Sequence, residues 1–178
     1  MKQINAKHLT PHDSGKRIME QMTPEQYFLR YSFPCAHVLL EMGSIDEKKF
    51  EELRQNVLNN KQMDRGELMI IFPSAFRRIS EVATKMKKDI WDLDVIKKYF
   101  FEQHNDYIEK RDGNYKQFGS HFCDFCKVYK GKVIGKEEDI LIVQYGERVR
   151  NVLSDILPDA EIGDDVTIHQ GFAVEKLE

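Results

Sequence analysis

The sequence lacks the features that mark a membrane protein or a secreted disulfide scaffold. No stretch approaches the roughly 20 consecutive apolar residues that a helix needs to cross a membrane. The opening segment, MKQINAKHLTPHDSGKR, has no apolar stretch of the kind that a secretory signal carries. The chain has only three cysteines, an odd number that argues against a disulfide framework. We therefore expect a cytoplasmic protein with no membrane partner.

Recognisable catalytic motifs are also missing. The chain has no nucleophile elbow, no glycine-rich phosphate loop and no paired carboxylates on a familiar scaffold, so we do not expect it to be an enzyme by itself. An excess of positive charge is missing too. Residues 121–178 carry 7 Lys and Arg against 12 Asp and Glu, whereas residues 1–120 carry 20 against 18. Because affinity for phosphate comes mainly from clustered Lys and Arg, we expect no nucleic-acid partner.

The first two thirds of the chain have a helical pattern. Thr23-Pro24-Glu25-Gln26 predicts a helix start, since Thr is a good N-cap, Pro suits the first helical position and Gln26 can close a capping box. Pro34 should kink or restart this helix, and Gly43 should end it. We expect four or five short helices over residues 23–111, packed as a bundle-like core. Residues 1 to about 22 predict a loose arm, or a short helix near residues 15–21.

Near the C-terminus the helical pattern gives way to short apolar runs separated by tight turns. An irregular linker is expected over residues 112–122. The runs predict strands at 132–135, 140–145, 148–152, 166–169 and 171–177. A closed barrel would leave no exposed strand edges, so we expect closure. The predicted fold is α+β, with a helical domain at residues 1–117 followed by a small β-barrel at residues 118–178.

The side chains best suited to metal or thiol chemistry stand at the edges of this barrel. Cys123 and Cys126 form a CxxC, a spacing that lets two sulfurs reach one metal ion or form a disulfide. His121 could add a third zinc ligand, and His169 a fourth if the fold brings it close. An inert, buried cysteine remains the alternative at each position. Cys35 follows Pro34 in an apolar stretch and is interpreted as a core cysteine.

Five short strings carry a resemblance to a known family. They are GKVI at 131–134, Tyr145-Gly146, Val149-Arg150, Ile156-Leu157-Pro158 and GDDVTIHQGFAVEKL at 163–177. With them, residues 126–177 resemble the hydrogenase assembly chaperone family HypC/HupF, of which the His-x-Gly-Phe-Ala ending is the most specific feature. The resemblance covers under a third of the chain and says nothing about the helical domain.

The resemblance implies a small OB-like, HypC-like barrel and a carrier function. Family members hold iron with its cyanide and carbon monoxide ligands together with a HypD scaffold, and deliver it to the precursor of the [NiFe]-hydrogenase large subunit. The family cysteine stands five residues before the first-strand glycine, as Cys126 stands before Gly131. The resemblance thus implies Cys126 as the reactive thiol and His169 as its support. The implied partner-binding residues are Cys126, Lys130, His169, Gly171 and Phe172.

Three departures from the family leave other functions open. The family cysteine follows the initiator Met, whereas Cys126 lies in mid-chain; Lys130 replaces a proline; and Cys123 adds a second thiol. One alternative is a zinc-binding or redox-sensing module built on the CxxC. Another is a protein-binding adaptor that has lost the iron chemistry.

Overall fold

The computed structural model describes residues 22–177, in which a set of helices is followed by a closed five-stranded barrel. This confirms the expected mixed architecture and the order of its two parts. The arm or short helix predicted near residues 15–21 lies outside the described residues. The α-helices are α1 (Pro24–Ser32), α2 (Ala36–Glu41), α3 (Glu47–Leu58), α4 (Arg65–Ile71), α5 (Pro73–Met86), α6 (Leu93–Lys98), α7 (His104–Glu109) and α8 (Ser120–Phe125).

Local signals placed the first helix correctly. The Thr23 backbone N–H donates to Gln26 Oε1 at 2.8 Å, and the Gln26 N–H donates to Thr23 Oγ1 at 3.3 Å, which completes the predicted capping box. Pro34 falls in a 3₁₀ turn, Phe33–Cys35, that separates α1 from α2. Gly43 follows α2 with φ of +66°, the left-handed conformation that favours glycine at a helix end.

The prediction of four or five helices was too low, because seven α-helices lie between residues 23 and 111. Pro34 interrupts one predicted helix, and a π-helical turn, Tyr99–Gln103, divides the last one into α6 and α7. The predicted irregular linker was also wrong in part. It holds a 3₁₀ turn, Gly113–Gln117, and the short helix α8, Ser120–Phe125.

The barrel is formed by β1 (Val128–Glu137), β2 (Ile140–Tyr145), β3 (Arg148–Leu153), β4 (Asp165–His169) and β5 (Phe172–Lys176) in the order β1-β2-β3-β5-β4. The first strand begins four residues earlier than predicted, and Val128 pairs with His169. Gly131 is required where β1 meets β2, because a Cβ there would lie 2.6 Å from the Gln144 carbonyl oxygen. This register brings the start of β1 next to the end of β4.

Two hydrophobic clusters account for most of the buried surface. The barrel interior is one of them, and it consists of Val133, Leu141, Val143, Val152, Leu157, Ala160, Val166, Ile168 and Ala173. The second is rich in aromatic rings and is centred on Phe28, which contacts Phe72, Phe76, Trp91 and Phe100. That second cluster also contains barrel residues, namely Val128, Ile156, Phe172 and Val174. The helices and the barrel therefore share one core. Over residues 22–177, every helix is too short or too polar to traverse a bilayer.

Candidate functional site

The candidate site lies where the helices cover one face of the barrel, a region we call the junction. Phe172, the first residue of β5, packs against Phe33 with ring centroids 5.6 Å apart and against His37 at 5.9 Å. Arg30 of α1 reaches across and donates from Nε to the Val174 carbonyl at 2.8 Å. The face of the barrel that carries the ends of β4 and β5 is thus covered by the chain's own helices.

Cys126 lies on the barrel side of this junction. It caps the C-terminus of α8, two residues before β1, and is 2 % exposed. The side-chain amide of Asn105 clamps the start of β1, since its Oδ1 accepts from the Val128 N–H and its Nδ2 donates to the Val128 carbonyl. The Cys126 Sγ contacts Gln170 Nε2 at 3.6 Å. Burial, together with the nearby Cys35 and Cys123, raises the pKa of the Cys126 thiol, so the resting thiol is protonated at neutral pH.

Cys35 approaches the same amide from the helical side. Its Sγ lies 3.4 Å from Gln170 Nε2, and the 3₁₀ turn that holds it begins directly after α1. Burial raises the pKa of Cys35 to about 12, against smaller opposing contributions from Arg78 and Gln170. Cys35 nevertheless retains accessible surface, because its side chain lines a cavity. Cys35 is therefore mostly enclosed by the protein, and the part of it that remains accessible lies on the wall of a cavity.

His169 stands behind the two thiols at the end of β4. Its Nδ1 lies 2.7 Å from the Tyr31 carbonyl oxygen, and because a carbonyl only accepts, Nδ1 carries the proton. Burial lowers the pKa of His169 to about 4, although the backbone of Tyr31 and Cys126 opposes this. The ring is therefore neutral at pH 7, and its unprotonated Nε2 faces the Cys35 Sγ at 3.8 Å. The structure brings together Cys126 and His169, the two residues that the family resemblance singled out.

His104 is a second buried imidazole at the junction. It is the first residue after the π-helical turn and packs edge-on against His169, with ring centroids 5.0 Å apart. Burial and the neighbouring His169 hold its pKa well below the usual range. Sequence spacing offered no signal for His104, because its neighbours come from elements distant in the chain.

A cavity of about 250 Å³ opens beside the thiols. Cys35, Cys126, His104 and Gln170 lie on its wall, together with Arg78 and Tyr99. Met42 and Ile70 lie on its rim and are 49 % and 80 % exposed, so the cavity reaches the protein surface there. Both thiols thus line one cavity that communicates with solvent.

Arg78 brings a positive charge to the wall of this cavity. It belongs to α5, is 4 % exposed and donates from Nε to Asp112 Oδ1 at 2.8 Å. Its guanidinium lies over the Tyr115 ring, 4.9 Å from the centroid. Asp112 also pairs with the exposed Arg77, which has a second partner in Glu81 at 2.7 Å. The charge of Arg78 on the wall is therefore paired with a carboxylate.

Cys123 points away from the cavity, although it precedes Cys126 by only one helical turn. Its Sγ lies 3.0 Å from Arg111 Nη1 and faces the carbonyl oxygens of Tyr115 and Phe118 at 3.8 and 3.9 Å. His121 is exposed on α8. The structure therefore does not gather the four proposed zinc ligands. All three cysteines are free thiols, and residues 22–177 contain no group of three or more His, Cys, Asp or Glu side chains arranged to hold a metal ion.

The remaining residues of the implied partner surface fall in different environments. Lys130 is exposed, with its ammonium 5.2 Å from the centre of the Phe101 ring. A Cβ added to Gly171 would approach only Phe125, at 3.8 Å. Phe172 is 6 % exposed beneath the helices. Of the residues that the resemblance assigned to partner binding, Cys126, His169 and Phe172 are covered by the chain itself.

Comparisons with known proteins add no further assignment. No protein-family model matches the chain, and a search of curated proteins found no relative. The function is therefore inferred from the residues and their geometry.

Proposed function

We propose that this chain is an assembly chaperone for a metalloenzyme, similar to the HypC/HupF family, that carries an iron group ligated by cyanide and carbon monoxide on Cys126. The observation that supports the proposal is that Cys126 and Gln170 line one cavity, while His169, the residue before Gln170, lies 3.8 Å from Cys35 on the same wall. Gln170 is the variable residue of the His-x-Gly-Phe-Ala string, and its amide contacts the Cys126 sulfur. The five-stranded closed barrel supports the OB-like assignment in strand number.

The cavity has a size and a chemistry that suit such a cargo. An iron atom with two cyanides and one carbon monoxide has seven non-hydrogen atoms, and 250 Å³ is about eight times the ~30 Å³ share of a water molecule. Thiolate is a soft ligand that binds iron in iron–sulfur clusters, and also Zn and Cu(I). The Gln170 amide supplies a hydrogen-bond donor for a cyanide nitrogen on the cavity wall. The cargo is a passenger, so the chain itself catalyses no reaction.

Because the helices cover the barrel face, a partner protein can reach the Cys126 thiol only by another route. In the family, a HypD-like scaffold and the hydrogenase large-subunit precursor handle the same iron group. Here the chain's own helices occupy the face around Phe172, so a cytoplasmic scaffold or client would reach Cys126 through the cavity mouth near Met42 and Ile70. In this proposal the helical part covers the barrel face that a separate partner protein would otherwise contact.

The proposal is tested by comparing two serine variants of the same CxxC. Wild-type protein, Cys126→Ser and Cys123→Ser are purified without oxygen from cells that make the iron group, and infrared spectra are recorded for iron-bound cyanide and carbon monoxide. We expect the bands in the wild type and in Cys123→Ser, and their loss in Cys126→Ser. Circular dichroism confirms that the variants are folded.

Three results would contradict the proposal. Bands of full intensity in Cys126→Ser would show that this thiol does not carry the group. Stoichiometric zinc in the wild type that is lost from both serine variants would instead favour a CxxC zinc module. An adaptor without iron chemistry would show no bands in any of the three proteins while still capturing a client.

A further inference from the structure

The helical part contributes a thiol of its own to the proposed cargo site. Cys35 and Cys126 both contact the single nitrogen Gln170 Nε2, at 3.4 and 3.6 Å. The distance between the two sulfurs therefore cannot exceed the sum of these two contact distances. One residue comes from the turn after α1 and the other from the start of the barrel, yet both line one cavity.

We propose that Cys35 and Cys126 form a two-thiolate site that binds a soft metal group carrying ligands of its own. The inference rests on the proposed function and adds a second protein ligand to it. On binding, both S–H bonds break, two protons leave to solvent and two metal–sulfur bonds form. The Gln170 amide, which contacts both sulfurs in the empty protein, moves and donates to the ligands that the metal brings.

Two protein thiolates leave coordination positions open for the ligands that the metal brings. A structural zinc site takes four protein ligands, and residues 22–177 contain no group of three or more His, Cys, Asp or Glu side chains arranged to hold a metal ion. An iron group that already holds three diatomic ligands needs fewer protein ligands. His169 Nε2 also lies 3.8 Å from the Cys35 Sγ.

A metal bound to both sulfurs would also join the two parts of the molecule. Cys35 belongs to the helical side and Cys126 to the barrel side, so the loaded protein has a cross-link through the junction that the empty protein lacks. Release of the cargo would then require at least one metal–sulfur bond to break before the helices and barrel could separate.

The experiment uses Cd²⁺ as a soft probe and needs no cargo. Reduced, oxygen-free protein is titrated with Cd²⁺, and the ultraviolet thiolate-to-metal charge-transfer band is recorded, because its intensity rises with the number of bound thiolates. We compare the full chain with Cys35→Ser, Cys126→Ser and Cys123→Ser. We expect Cys35→Ser and Cys126→Ser each to halve the band and to weaken Cd²⁺ binding at least about tenfold, whereas Cys123→Ser matches the wild type.

The possible outcomes separate this inference from the proposed function. Loss with Cys126→Ser but none with Cys35→Ser overturns the two-thiolate site and leaves the Cys126 carrier in place. Loss with Cys123→Ser and Cys126→Ser, with Cys35→Ser unchanged, overturns the inference in favour of a CxxC site. Absence of any band overturns it as well, and the infrared experiment then decides the carrier function separately.

A second measurement avoids variants, in case Cys35→Ser does not fold. X-ray absorption spectroscopy of the Cd²⁺-loaded wild type counts sulfur ligands directly. Two sulfurs, with Cys35 and Cys126 protected from alkylation in the same sample, support the site. One sulfur, or protection of Cys123 in place of Cys35, overturns it.

Discussion

The barrel interior and the junction both bury side chains, but the side chains they bury differ in polarity. The interior is entirely apolar, with residues such as Leu141, Val143 and Ile168 at 0 % exposure. The junction buries Arg30, His104, Thr167, His169 and Gln170. Burying a polar group costs free energy unless it is hydrogen-bonded. An apolar interior stabilises the barrel, whereas the buried polar groups of the junction each need a hydrogen-bond partner to offset the cost of their burial.

The polar groups of the junction are satisfied across the boundary between helices and barrel. Tyr27 and Tyr31 of α1 both donate to Glu175 Oε2 of β5, at 2.7 and 2.5 Å. The Tyr31 hydroxyl also lies 2.9 Å from Thr167 Oγ1 of β4. Each of these bonds needs both parts in one relative orientation. We therefore predict that a substitution at the junction destabilises both the helices and the barrel.

The largest expected effect is at Arg30. Its guanidinium donates to the carbonyl oxygens of Val174 and Ile156 across the junction. Arg30→Met keeps most of the side-chain volume but leaves both buried carbonyls without this donor. Since each unsatisfied buried group costs about 1–3 kcal/mol, we expect a loss of about 4 kcal/mol in unfolding free energy. Urea unfolding followed by Trp91 fluorescence measures it.

Arg54→Met is the matched control for this change. Arg54 also reaches across the junction, to Asp155 at 3.4 Å, but its side chain is 39 % exposed. An exposed ion pair is worth less than about 1 kcal/mol. Equal losses in the two variants would contradict the idea that burial at the junction, rather than contact across it, provides the stability.

A somewhat smaller effect is expected inside the barrel. Leu141 is fully buried, so Leu141→Ala should cost about 3 kcal/mol through lost contacts and the cavity left behind. Because the two parts share a core, the Trp91 transition on the helical side should shift as well. The neighbour Ile140 is 39 % exposed and Ile140→Ala should cost well under 1 kcal/mol. A Trp91 transition that is unaffected by Leu141→Ala would show that the two parts unfold independently.

The smallest expected effect is a pH dependence of the unfolding free energy that arises from histidines at the junction. His169 has a pKa of about 4 when folded, below the ~6.5 of a free histidine, so the unfolded chain binds the proton more readily. The resulting stability is present above about pH 6.5 and is lost as pH falls toward 4. We expect a loss of roughly 2 kcal/mol between pH 7 and pH 5 from this group, and His104 adds to it in the same direction.

Urea titrations at both pH values, for the wild type, His169→Gln and the exposed-site variant His121→Gln, test this dependence. The difference between pH 7 and pH 5 should shrink in His169→Gln and stay unchanged in His121→Gln. A pH dependence that is the same in all three proteins would contradict the assignment of the effect to the junction.

The elements that could be predicted are those whose causes are local. The Thr23 capping box and the left-handed Gly43 depend on neighbouring residues, and period-two apolar runs found all five strands. The helix α8 was missed because its glycine and serine neighbours resemble a linker. The π-helical turn after α6 was missed because a continuous helical pattern runs through it.

The residues of the candidate site also fall into those that local sequence could predict and those that it could not. Cys126 and His169 could be singled out, because short strings around them resemble a family. Cys35, His104 and Gln170 could not be grouped from spacing, since they approach one another only when α1, the π-helical turn and the end of β4 pack together. The CxxC spacing could not show that the Cys123 Sγ lies 3.0 Å from Arg111 Nη1, because that contact depends on how α8 packs against the chain that follows α7.

The sequence by itself determined the helical part, the period-two strands and the candidate thiol, because helix caps, turns and side-chain periodicity act over a few residues. Only the tertiary structure decided that the helices cover the barrel face, that Cys35 and Cys126 both contact the Gln170 amide, and that both residues line one cavity. These features depend on contacts between residues far apart in the chain, whose pairing is selected by burial of the shared core.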